Sequence, residues 1–120
     1  MAELANEKCI PCRRGDLPLD KAEIDSLKFQ LPQWEFVEID GVLQLQRTFI
    51  FKNFEQALAF TNHIGAIAEE QDHHPTLITE WGKVTIRWWT HAVGGLHRND
   101  FVMAAKSDQI YQSYLNETAT

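Results

Sequence analysis

Apolar positions fall at helical spacing soon after Pro18. Asp20 with Glu23 forms a capping box, and Ile24, Leu27 and Leu31 follow until Pro32 stops the helix. From Trp34 to Ile39 the pattern turns to that of a strand, Asp40-Gly41 marks a tight turn, and a second strand runs from Val42 to Phe51. In that second strand Leu43, Leu45, Phe49 and Phe51 share a parity broken only by Arg47, with Gln44, Gln46 and Thr48 opposite. Asn53 with Gln56 opens another helix, whose predicted inward stripe is Phe54, Ala57, Leu58, Thr61, Ile64 and Ala68. This helix is expected to fray near Glu69-Glu70. A second hairpin is predicted over Thr76–Trp81 and Val84–His91, with Gly82-Lys83 as its turn. Gly94-Gly95 breaks the chain, and a third helix runs from Leu96 or Asn99 to Leu115, burying Phe101, Ala104, Ala105 and Tyr111.

The order is therefore α-β-β-α-β-β-α. Two-stranded ribbons are marginal on their own, so the two hairpins should join into one four-stranded antiparallel sheet. Covering one face with about three helices gives a two-layer α+β sandwich. All 120 residues are read as a single domain, with residues 1–17 an irregular lead. The uncovered sheet face, or an exposed edge strand, is a surface for self-association.

Composition narrows the partners. Seventeen acidic against eleven basic residues give a net charge of −6, which lacks the basic footprint of a nucleic-acid binder and disfavours an anionic membrane. No apolar run reaches the ~20 residues of a membrane-spanning helix, and Met1 to Lys8 carries no secretory pattern. The cytoplasm is the expected location. Cys9 and Cys12 form a C-x-x-C pair in a segment punctuated by Pro11 and Gly15. A redox pair of this spacing belongs at a strand-to-helix junction and a zinc knuckle needs further ligands, so the pair reads as structural or incidental.

Chemistry concentrates in the histidines. His63 and His97 have no neighbours that suggest a role. His73-His74-Pro75 differs: Pro75 biases His74 towards extended backbone, which turns consecutive side chains to opposite sides. His91 ends the last strand on the side of Thr85, Arg87 and Trp89, opposite the aliphatic Val84 and Ile86. Imidazoles suit proton transfer near neutral pH, and Glu69 or Asp72 could orient one. The residues alone leave open an acid–base site, a solvated loop or a divalent-cation site. Against the last stands the lack of a helical H-E-x-x-H or a strand H-x-H. No nucleophile elbow or phosphate-binding glycine loop is present.

The spacing of Glu69, His73-His74-Pro75, Trp81, His91 and Asp100 resembles the signature of the pterin-4a-carbinolamine dehydratases, whose mammalian members are also dimerisation cofactors of a homeodomain transcription factor. The resemblance implies dehydration of a 4a-hydroxytetrahydropterin to a quinonoid dihydropterin, with no metal, nucleotide or redox cofactor. It assigns proton transfer to His73 and His91, support of a histidine to Glu69, and substrate binding to His74. Asp100 and Trp34 would lie at the pocket's periphery. Trp81, Trp88 and Trp89 are candidates either to stack on the pterin or to pack the sheet or a subunit interface; Trp81 is counted with the substrate-binding residues and Trp88 with the packing ones. The resemblance further implies a homodimer or homotetramer. Its alternative reading is a non-catalytic assembly or coactivator factor that binds a protein partner on the same fold.

Overall fold

The structure, a computed structural model, describes residues 4–9 and 19–118. Its helices are α1 (Lys21–Lys28), α2 (Phe54–Gln71) and α3 (Arg98–Thr118), and its strands are β1 (Glu35–Ile39), β2 (Val42–Ile50), β3 (Thr76–Glu80) and β4 (Lys83–Trp88). All four strands form one antiparallel sheet in the order β1-β2-β4-β3, which places the two hairpins side by side. The α+β sandwich expected from the sequence is present. Asp40 and Gly41 both take positive φ, 51° and 80°, so the first hairpin closes through a two-residue turn of the mirror-image kind that matches strand twist. Among the described residues, no helix is long and apolar enough to cross a membrane.

Strand parity sorts the sheet into two faces. Leu45, Phe49, Val84, Ile86 and Trp88 are buried beneath α2 and α3, where Phe60, Ile64, Phe101 and Met103 meet them. At the centre Phe49 packs edge-on or tilted against Trp34, Phe60 and Tyr111, geometries that bring positive ring edges onto negative ring faces. Phe60 lies inside, whereas Phe54 and Leu58 are each 43% exposed, so α2 is rotated from the predicted stripe. The bulk of Phe60 at the centre of the layer decides the rotation; the smaller Ala57, Ile64 and Ala68 follow the same face. Helix α1 also stops earlier than Pro32 requires, at Lys28, and Leu31 reaches the core from the turn that follows.

Arg47, the exception in its strand's apolar parity, has a partner in the helix layer. Its Nη1 donates to Asp108 Oδ1 at 2.6 Å, and its guanidinium lies over the rings of Phe49 and Tyr111. The indole Nε1 of Trp34 donates to the same Asp108 oxygen at 2.9 Å. Burial pushes the Asp108 carboxyl up, while the Trp34 hydrogen bond and the Arg47 charge hold it back down. A carboxyl raised in the folded state favours folding most in its protonated form, and that contribution fades as pH rises through the folded value. Arg47→Met should therefore destabilise the protein more at pH 8 than at pH 4. The loss at pH 8 is expected at about 2 kcal/mol, below that for fully buried pairs because 18% and 27% of the two side chains meet solvent. Urea denaturation at the two pH values checks this; an equal loss at both would contradict it.

Candidate active site

The site is built where the end of α2, the end of β4 and the start of α3 converge. At the end of α2, Asp72 adopts the left-handed conformation (φ 51°), a position that Asn and Asp tolerate better than other residues with a Cβ. The amides of Asp72 and His73 then close onto Glu69 O and Ala68 O, reversing the chain. Helix α2 thus continues through the predicted fray at Glu69-Glu70 to Gln71, and the reversal turns His73 inwards. The His73 ring is buried and lies parallel to the Trp88 indole, with centroids 5.7 Å apart. His74 takes the opposite side, exposed, with Nε2 2.5 Å from Glu69 Oε1.

Beneath His73 sits Asp100, fully buried. Its Oδ1 is 2.6 Å from His73 Nε2, and its Oδ2 accepts from Thr90 Oγ1 at 2.8 Å and from the His97 amide at 2.9 Å. Asp100 is the third residue of α3, where a negative charge also meets the positive end of the helix dipole. His97 caps that helix: its Nδ1 accepts from the Asn99 amide at 3.0 Å while its own amide donates to Asp100. A carboxylate has only acceptors to offer, so the His73 proton lies on Nε2, leaving Nδ1 as the ring's exchangeable nitrogen.

Strand β4 ends at Trp88, three residues earlier than predicted. Thr90 pairs with Gly95, and His91 opens a one-turn 3₁₀ helix, His91–Val93, closed by Gly94 at φ 64°. His91 is exposed and leans on Trp89 with ring centroids 4.6 Å apart. His73, His74 and His91 all line one cavity of about 350 Å³, together with Trp89, Asn99 and Cys9. That volume lies within the range of small-molecule sites. Among the described residues, no three His, Cys, Asp or Glu side chains are grouped to hold a metal ion.

The predicted site residues thus separate. His73, His74 and His91 come together, with Asp100 supporting His73 from the core rather than lying at the periphery. Glu69 meets His74 at the surface and does not touch His73. Trp34 is away from the cavity because the core takes its ring and Asp108 its indole N–H. Trp81 is 71% exposed in the β3–β4 turn, at the far end of the hairpin from His73 and His91. Thr90 and His97, which had no predicted role, hold Asp100. Cys9, read with Cys12 as structural or incidental, borders the cavity, while Cys12 lies outside the described residues. No local pattern announces these contacts, since Cys9 and His73 are far apart in sequence and His97 is an unusual helix cap.

An antiparallel sheet backed by helices, with a histidine–carboxylate cavity at its end, defines a small α+β protein of the pterin dehydratase fold. The solved transcriptional coactivator/pterin dehydratase of Brucella melitensis superposes with a TM-score of 0.71 at 30% identity, over 78% of this chain and 98% of that one. A pterin dehydratase-like RuBisCO assembly factor of the α-carboxysome shares the fold alone, at a TM-score of 0.56 and 21% identity over 66% of this chain and 89% of that one. The profile of the family described as pterin 4 alpha carbinolamine dehydratase matches residues 17–110. Curated relatives carrying the pterin-4-alpha-carbinolamine dehydratase name include one from Chlorobium limicola, 53% identical over 93% of this chain and 99% of its own length. Another, from Microcystis aeruginosa, is 52% identical over 93% and 97%. The chain belongs to the pterin-4-alpha-carbinolamine dehydratase family.

The hydrogen bonds of Asp100 make the His73 tautomer testable. In Asp100→Asn the amide oxygen would keep the Thr90 and His97 donors, which points its NH₂ at His73 Nε2 and moves the neutral ring's proton to Nδ1. Nitrogen-15 NMR of the histidine rings should show that change; an unaltered Nε2–H tautomer would contradict the assignment.

Proposed function

We infer that the chain dehydrates a 4a-hydroxytetrahydropterin to the quinonoid dihydropterin, in support of pterin cofactor recycling. The observation that carries this reading is the convergence of His73, His74 and His91 on one cavity, with buried Asp100 fixing the His73 ring. In the reaction the C4a–O bond breaks, the hydroxyl takes a proton and leaves as water, and N5 loses its proton as the C4a=N5 double bond forms. One group must give a proton and another must accept one.

His73 suits the acceptor role. Asp100 occupies its Nε2–H, so proton uptake falls to Nδ1, and the resulting cation has a carboxylate 2.6 Å away. His91, exposed at the cavity's lip and backed by Trp89, suits delivery of a proton to the departing hydroxyl and its replacement from water. His74, steadied by Glu69, suits a binding role through a ring with no buried partner. The family membership supports the same substrate class.

Rapid-mixing assays on a synthetic carbinolamine should give a catalytic rate that falls about 10²–10⁴-fold in His73→Ala and in His91→Ala. Near-native rates in both folded variants would remove the mechanism, and no acceleration by the native protein would remove the reading.

Self-association belongs to the same proposal. Ile50 and Ile78, 62% and 38% exposed, lie on the sheet face that no helix covers, and Trp81 stands beside them at the hairpin's tip. A second copy would remove this apolar surface from water. Sedimentation should report a dimer or tetramer for the native chain and a shift towards the 13.9 kDa monomer in Ile78→Glu. A native monomer at micromolar concentration would refute the association.

A further inference from the structure

The segment Leu4–Cys9 precedes the family match at residues 17–110, yet it is held by specific contacts along its length. Leu4 is buried in the core, at 3% exposure, as part of a 3₁₀ turn packed on α3. Lys106 Nζ donates to Ala5 O at 2.8 Å. The Arg98 guanidinium grips Glu7 through two bonds, of 2.8 and 2.6 Å, and this pairing holds the Glu7 carboxyl below its ordinary range. Finally the Cys9 amide donates to Gln71 Oε1 at 2.9 Å. The contacts follow α3 from the core to the cavity, and they stop where Cys9 and Gln71 both line it.

Position and chemistry favour contact with a ligand at that end. Gln71 is the last residue of α2, two before His73, so its bond to Cys9 ties the segment to the element that aims the proposed base. The Cys9 sulfur lies 4.0 Å from the Asn99 carbonyl oxygen, and Asn99 lines the same cavity. A polarisable sulfur is a favourable neighbour for the face or edge of an aromatic ring system. Trp89 and His91 line the same cavity, so Cys9 joins them in bounding the space available to a flat heterocycle.

We propose that Leu4–Cys9 is a docked strap forming one wall of the pterin pocket, with Cys9 in contact with the bound ring and Gln71 as the positioning residue that seats the strap. This rests on the dehydratase reading above. The strap then sets how large a substituent the pocket accepts, and its effect falls on substrate binding, while the proton-transfer groups act independently of it.

The test uses the full chain carrying Cys12→Ser, so that Cys9 is the sole thiol. Alkylation of Cys9 by iodoacetamide, followed by mass spectrometry, should slow about fivefold or more when a stable 7,8-dihydropterin saturates the protein. Calorimetry establishes that saturation separately. In the carbinolamine assay, Cys9→Trp should raise KM about tenfold with kcat within about twofold, and Gln71→Ala should raise KM by a smaller factor. Circular dichroism checks that each variant is folded. An unprotected thiol in a pterin-saturated protein, or a native KM in folded Cys9→Trp, would overturn the strap while leaving the dehydratase reading intact. Failure of the native protein to bind the dihydropterin or to dehydrate the carbinolamine would overturn both.

Discussion

A buried carboxylate needs enough hydrogen-bond donors to replace the water it has lost, and Asp100 meets that demand with three elements of the fold. The His97 amide comes from the helix cap, the Thr90 hydroxyl from the segment after β4, and the His73 ring from the turn that leaves α2. Each donor satisfies Asp100, and Asp100 in turn fixes each donor. The cavity is a consequence of this mutual constraint. His73 cannot swing into solvent without leaving a buried carboxylate short of a partner, which costs on the order of 1–3 kcal/mol or more.

The same constraint explains why adjacent histidines have different environments. His73 is clamped between Asp100 and the Trp88 indole, whereas His74 meets only Glu69 at the surface. Extended backbone before Pro75 sends the two rings to opposite sides, and the left-handed Asp72 determines which of them enters the core. Side chains held in this way lose little entropy on reaching a reactive geometry. His91, on a short 3₁₀ turn outside the sheet, is held less tightly, in keeping with a group that exchanges protons with water.

Away from the histidine cavity, a second polar cluster has a different task. Arg47, Asp108 and the Trp34 indole satisfy one another inside an aromatic core and line no part of the histidine cavity. Arg47 looked like an interruption in an apolar strand face. Its partner Asp108 lies on α3, and the interruption makes sense only once that helix crosses β2. The family resemblance put Trp34 at the pocket's periphery, and nothing local reveals that its ring fills the space beside Phe49.

Alternation and helical spacing alone determined the element order, the antiparallel pairing of the hairpins and the side of the sheet that is buried. These follow from local periodicity and from turn chemistry such as Asp40-Gly41, both written in contiguous residues. Periodicity also set His91 apart from the aliphatic Val84 and Ile86, although the strand to which that alternation assigned it stops at Trp88. The histidines of the site were therefore legible, with the family-like spacing adding their proposed roles. Only tertiary structure decided that Asp100 supports His73 from below, that Glu69 serves His74, that Phe60 turns inwards, and that Cys9 reaches the cavity. Each of those outcomes depends on groups distant in sequence competing for the same buried volume or hydrogen-bond donor. Such competition is resolved by packing three dimensions of chain together, and no local pattern encodes its winner.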